Sequence, residues 1–177
     1  MTEARLILVT GGAASGKSEH AERLLCESAP AGERLYLAAM QPFGEAAQKR
    51  IQRHRALRAG KGFLTVGRYT GLAEFVPERH FGGILLECLS NLLANEMFSP
   101  EGAGADAAHA VTEGVGALRA HCGTLVVVTN EIFADGSRYP EETERYIEAL
   151  AEVNRELAAR ANEVYESVCG ILCKIKG

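Results

Sequence analysis

Apolar residues fall along the chain in two rhythms: short continuous runs of strand length, and longer stretches where they return every three or four positions. Arg5-Leu-Ile-Leu-Val-Thr10 is the first run, and an uninterrupted apolar run suits a strand buried on both faces of a parallel sheet. A loop over Gly11–Gly16 and a helix from about Lys17 to Glu27 follow. Arg34–Ala39 predicts a second strand, Glu45–Arg58 a basic helix, and Phe63–Arg68 a short strand. Gly83–Cys88 is a further central strand leading into a helix over Leu89–Met97. Ser99–Asp106 is small, polar and rich in turn formers, so a mobile loop is expected there. A helix over Ala107–Cys122 and a buried strand over Thr124–Thr129 come next. In Pro140–Ala161 the residues Ile147, Leu150, Val153 and Leu157 recur at helical spacing, as one buried face requires. A strand over Glu163–Val168 and the tail Ile171–Ile175 close the chain. Strands alternating with helices predict an α/β fold: a doubly wound, mostly parallel sheet with helices on both faces. With no repeat or linker in 177 residues, a single domain over 1–177 is expected.

Composition narrows this picture without changing it. Hydrophobic residues make up 47% and charged residues 24%, a globular balance. The formal net charge of −4 gives no general attraction to nucleic acid or an anionic membrane, so any positive site must be local. No run approaches the roughly 18 apolar residues that cross a bilayer, and Met1 leads into the first strand without a charged leader. The five cysteines, Cys26, Cys88, Cys122, Cys169 and Cys173, form no CxxC pair; buried thiols in a reducing, cytoplasmic compartment are expected, with metal binding second.

The chemistry enters at Gly11-Gly12-Ala13-Ala14-Ser15-Gly16-Lys17-Ser18, a complete GxxxxGK motif ending in Ser, between an apolar strand and a helix. Small residues let backbone N–H groups curl around phosphate oxygens, and the helix start adds its positive dipole end. Lys17 can reach the β- and γ-phosphates, and Ser18 can ligate Mg²⁺. The motif is specific for nucleotide phosphates and makes this a P-loop NTPase-like fold, but it names neither base nor acceptor. There is no Asn-Lys-x-Asp element of the kind that regulatory GTPases carry.

In open α/β sheets, ligands bind beyond the carboxyl ends of the strands. Glu87 lies at such an end, where a carboxylate can hold Mg²⁺ or orient a hydroxyl nucleophile. Glu131 occupies the equivalent place after another strand, and its role stays open between substrate binding and structure. Lys49–Arg58 concentrates positive charge, with Arg50, His54 and Arg58 spaced by four and therefore in one helical stripe. A neutral imidazole among cations can attack phosphorus, and the arginines can stabilise a triphosphate. The residues alone equally allow a solvated basic face, with His54 an incidental member. His20, His80, His109 and His121 have no partners at metal-ligand spacing, and surface or packing roles are expected for them.

Taken together, Leu8–Glu22, Tyr36–Gln41, Arg50–Arg58, Leu85–Cys88, Val127–Glu131, Asn154–Ala158 and Ile171–Lys176 resemble the adenosylcobinamide kinase/adenosylcobinamide-phosphate guanylyltransferase family. The resemblance runs over nearly the whole chain, in order and with similar spacing. It implies two reactions: phosphorylation of adenosylcobinamide by ATP or GTP, then transfer of GMP from GTP through a GMP–histidine to give adenosylcobinamide-GDP. It places His54 as the guanylylated residue, beside Lys17 and Glu87 as catalytic groups. It also implies that Gly11–Ser18, Ala39, Met40, Gln41, Arg58 and Glu87 contact nucleotide, that Ser18 and Glu87 hold Mg²⁺, and that the protein is a homotrimer. Two stretches depart from the family pattern: Phe63-Leu-Thr-Val-Gly67, which lacks a Trp before and a Glu after the Thr, and Ile132–Pro140, which replaces a Gly-rich segment with a Pro. An ordinary P-loop small-molecule kinase without a covalent intermediate, and a nucleotide-controlled RNA or protein adaptor, are the competing readings.

Overall fold

The computed structural model describes residues 3–133 and 136–177. Seven strands form one sheet: β1 Arg5–Gly11, β2 Arg34–Ala38, β3 Phe63–Gly67, β4 Phe81–Glu87, β5 Cys122–Val128, β6 Glu163–Val168 and β7 Ile171–Lys176. Their order is β3-β2-β4-β5-β1-β6-β7; all pairs are parallel except the antiparallel β6–β7 hairpin. The helices are α1 Lys17–Ser28, α2 Glu45–Arg58, α3 Leu89–Phe98, α4 Ala107–Leu118 and α5 Glu141–Arg160.

The central strands are apolar throughout because each face meets a helical layer. Leu6 and Leu8 of β1, Ile84 and Leu86 of β4, and Leu125 and Val127 of β5 join the core under α3, α4 and α5. Their neighbours Ile7, Val9, Leu85, Val126 and Val128 turn the other way and pack with Ala21 and Leu25 of α1. That period of two is the pleat of the sheet, and helices on both faces complete the expected doubly wound layers. On α5 the residues Leu150, Val153 and Leu157 are fully buried.

Several expected boundaries move. The helix over Ala107–Cys122 ends at Leu118, gives way to a 3₁₀ turn over Arg119–His121, and leaves Cys122 to open β5. The tail is the edge strand β7. Cys122 is buried, but Cys169 is exposed at the β6–β7 turn, which corrects the expectation of uniformly buried thiols; all five are free. No helix among the described residues is long and apolar enough to cross a membrane.

Nor is Ser99–Asp106 a loose connection. It contains a 3₁₀ turn over Gly104–Asp106, and its base is tied to Glu96, which is only 2% exposed. The Glu96 carboxylate accepts the N–H of Ala103 at 2.9 Å and that of Gly71 at 2.7 Å, so one buried anion closes two loops. Removing it strands two backbone donors, each costing about 1–3 kcal/mol. Glu96→Ala is therefore expected to destabilise the fold by about 2–4 kcal/mol in urea unfolding, and Glu96→Gln by about half that. Unchanged midpoints would refute this role.

Candidate active site

The strand order decides where chemistry can occur. β1, β5 and β4 are adjacent and parallel, so the loop after β1, the residues after β5 and Glu87 at the end of β4 emerge along one edge. A cavity of about 860 Å³ opens there, lined on one side by Ala13–Ser18 and on another by α2.

Glycine is required twice in the loop. Gly16 has φ 91°, in the left-handed region that side chains avoid, as it turns the chain into α1. At Gly11 a Cβ would lie 2.6 Å from Ser15 Oγ and 2.7 Å from Ser167 O. The loop is braced from β6, because Ser167 Oγ and the Gly170 N–H both donate to Ser15 O, at 2.7 and 2.9 Å. Lys17 Nζ donates to Gly12 O at 2.8 Å. Burial lowers the Lys17 pKa, Cys88 and Glu87 act against that, and Arg50 adds to the lowering.

Glu87 is the centre of the arrangement. It is 7% exposed, accepts a short hydrogen bond from Ser18 Oγ through Oε1, and accepts the Tyr36 hydroxyl at 3.1 Å through Oε2. The His54 ring brings Nδ1 to 3.6 Å from the same Oε2, a contact just beyond hydrogen-bond length. His54 Nδ1 is buried without a hydrogen-bond partner among the described residues. Burial, then the neighbouring Glu87 charge, pushes the Tyr36 phenol far above its ordinary pKa, so it remains a donor.

The expected stripe on α2 is only partly right. The half-buried and buried positions are Ala47, Ile51, His54, Leu57 and Arg58; Arg50 is exposed at the rim of the cavity. Arg58 is 6% exposed and stacks over the Tyr36 ring with Cζ 3.3 Å from its centroid. Its Nε and Nη1 are buried and have no hydrogen-bond partner among the described residues, a cation held in place with hydrogen-bonding capacity left over.

The remaining residues separate. Met40 lines the cavity; Ala39 and Gln41 do not. Ala39 uses its N–H on Glu87 O at 3.0 Å and its carbonyl on Asn95 Nδ2 at 2.8 Å. Glu131 pairs its N–H with Gly11 O at 3.0 Å and its carboxylate with the Phe133 N–H at 2.8 Å, both structural contacts. His20 lies 3.0 Å from Gly170 O and outside the cavity lining. Of the two divergent stretches, Thr65, Gly67 and Ile132 line the cavity, while residues 134 and 135 lie outside the described residues.

Tyr36 is a cavity side chain that motif spacing did not mark. Its signal is a polar-tipped aromatic inside the aliphatic run Leu35–Ala38. Tyr36→Phe keeps the ring under Arg58 and removes one donor to Glu87. Hydrogen bonds to charged groups are worth about 1.5–3 kcal/mol, so kcat for phosphoryl transfer is expected to fall about tenfold or more, with nucleotide KM within about threefold. Steady-state kinetics check this, and an unchanged kcat would remove Tyr36 from the account.

For Mg²⁺ the donor set fits. Ser18 Oγ and Glu87 Oε1 already meet, and the described residues hold no cluster of three His, Cys, Asp or Glu side chains. Mg²⁺ beside a P-loop takes few protein oxygens and fills its sphere with phosphate and water, so two hard oxygens suffice.

Comparisons with known proteins agree with this geometry. The chain is 34% identical to the bifunctional adenosylcobalamin biosynthesis protein CobU of Escherichia coli K12, covering 97% of this chain and 99% of that one. It is 30% identical to the bifunctional adenosylcobalamin biosynthesis protein CobP of Pseudomonas aeruginosa, covering 96% of each. Among solved structures, the KaiC-like protein PH0186 of Pyrococcus horikoshii superposes with a TM-score of 0.54 at 12% identity, over 94% of this chain and 72% of that one, which speaks to the P-loop fold alone. The model of the cobinamide kinase / cobinamide phosphate guanyltransferase family matches residues 7–175, and with the full-length relatives it shows that this chain belongs to that family of cobalamin-assembling enzymes.

Proposed function

We propose that the protein phosphorylates adenosylcobinamide with ATP or GTP and then guanylylates the product with GTP through a covalent GMP–His54. The observation that carries this reading is the placement of the His54 ring 3.6 Å from Glu87, which itself holds Ser18 of the phosphate loop. Nucleophile and cradle thus belong to one cavity of one chain.

In the guanylyl step the loop and Lys17 hold the β- and γ-phosphates, so that the α-phosphorus faces α2. With the Glu87 carboxylate against Nδ1, the ring proton belongs on that nitrogen, and the Nε2 lone pair is free to attack. An Nε2–phosphorus bond forms, the bond from the α-phosphorus to the bridging oxygen breaks, and pyrophosphate leaves in the grip of the loop. A phosphate oxygen of adenosylcobinamide phosphate then attacks the same phosphorus, and the P–N bond breaks to restore the imidazole. In the kinase step the acceptor hydroxyl attacks the γ-phosphorus, its proton passes to the Glu87 carboxylate, and the nucleoside diphosphate leaves. The Arg58 guanidinium, buried with two nitrogens unpartnered among the described residues, is suited to an anionic oxygen of the nucleotide. Mg²⁺ bound by Ser18 and Glu87 would neutralise phosphate charge.

The same reading includes nucleotide contacts from Gly11–Ser18, Met40, Arg58 and Glu87, with the Ala39 backbone behind them and Gln41 outside the cavity lining. It further includes a single catalytic domain over 1–177, a homotrimer, a cytoplasmic location and no nucleic-acid partner. Incubation with α- and γ-labelled GTP in parallel tests it. The reading requires an acid-labile, base-stable adduct carrying the α-label only; γ-label transferred to adenosylcobinamide with no protein-bound α-label would favour the plain kinase.

A further inference from the structure

The cavity has a second wall, and its chemistry is opposite to that of the phosphate loop. Cys88, Asn91, Asn130 and Ile132 line it, from the ends of β4 and β5 and the first turn of α3. Beyond β5 the chain stays paired to β1, because the Thr129 N–H donates to Val9 O at 2.9 Å and the Glu131 N–H to Gly11 O at 3.0 Å. Asn130 is therefore held between the phosphate loop after β1 and Glu87 at the end of β4.

A network occupies the nitrogen end of each amide. Asn130 Nδ2 donates to Ser90 Oγ, and Asn91 Nδ2 donates to Cys88 Sγ at 2.9 Å. Cys88 Sγ and Ser90 Oγ lie 3.1 Å apart and join the two pairs. Behind them, Thr129 Oγ1 donates to Asn154 Oδ1 at 2.7 Å, which sets the Asn154 amide so that its Nδ2 donates to Asn130 O at 3.3 Å. Tyr146 adds a bond to Ser90 O at 3.1 Å. Both asparagines turn their nitrogens inward, and neither Oδ1 has a partner among the described residues. An amide oxygen only accepts hydrogen bonds. This wall is consequently unsuited to phosphate oxygens, which the N–H-lined loop attracts, and suited to a ligand that donates.

We propose that Asn91 and Asn130 form the acceptor subsite, their two amide oxygens receiving hydrogen-bond donors that flank the reacting hydroxyl of the alcohol to be phosphorylated, whose own proton is left for Glu87. The proposal rests on the kinase reading above and adds the residues that position the acceptor. It also accounts for Asn154, which lies on α5 away from the cavity lining and links Thr129 to Asn130.

The test is steady-state kinetics of Asn91→Ala and Asn130→Ala with adenosylcobinamide and ATP varied in turn. Each variant loses one hydrogen bond to substrate, so the acceptor KM is expected to rise about 5- to 10-fold while the nucleotide KM moves less than about twofold. Asn91 is half exposed on a helix, so its variant keeps the test valid if Asn130→Ala folds poorly. An unchanged acceptor KM in both variants, or equal increases in both KM values, would overturn the subsite. A failure of the underlying reading shows elsewhere, in an unsubstituted protein that neither phosphorylates adenosylcobinamide nor forms the guanylyl adduct.

Discussion

His54→Ala is expected to eliminate the protein-bound α-label from GTP, with the overall guanylyl transfer falling by at least about 10³-fold. Removing a covalent nucleophile deletes the reaction route and not merely one contact, which is why such losses exceed those of a binding residue. The fold should survive, because His54 lies on a helix whose only fully buried side chain is Arg58. The kinase step should be affected far less, by about tenfold at most, since its nucleophile is the acceptor hydroxyl and its acid–base partner is Glu87. Parallel assays with α- and γ-label on the same preparation check both halves. Equal losses in the two reactions would mean that His54 organises Glu87 and does not attack phosphorus.

Lys17→Ala should behave differently, depressing both reactions together by about 10²–10³-fold. The lysine serves whichever phosphorus is attacked, because both reactions need the β- and γ-phosphates held. Nucleotide titrations and both activity assays give the comparison. A variant that lost only one activity would show that the two reactions use separate phosphate sites.

The contrast between α2 and the phosphate loop explains how much could be read from sequence. Loop, strand and helix around Gly11–Ser18 are local features: an apolar run, small residues and a helix start within a few positions, and the structure follows them closely. The central strands were equally legible because burial on both faces leaves continuous apolar runs at Leu6–Val9, Ile84–Leu86 and Leu125–Val128. On α2 no apolar stripe marks the inner face; His54 and Arg58 are the inward groups and Arg50 is not, an orientation set by the cavity and the Tyr36 ring. Contacts between strand ends were the least legible. Tyr36 and Ser18 meet Glu87 from 51 and 69 residues away, and no local pattern encodes such a meeting. Glu96 shows the same limit in the scaffold, where a polar stretch looked mobile because its anchor, a buried carboxylate on the preceding helix, resembles any other acid in sequence.

Guanylyl transfer hinges on one bond, between the His54 imidazole and the α-phosphorus of GTP. Trapping the adduct under mild base, digesting it and sequencing the labelled peptide measures that bond directly. A single guanylylated peptide with the GMP mass on residue 54 is the predicted result. The same mass on any other side chain, or turnover to adenosylcobinamide-GDP with no modified peptide at any time, would contradict it.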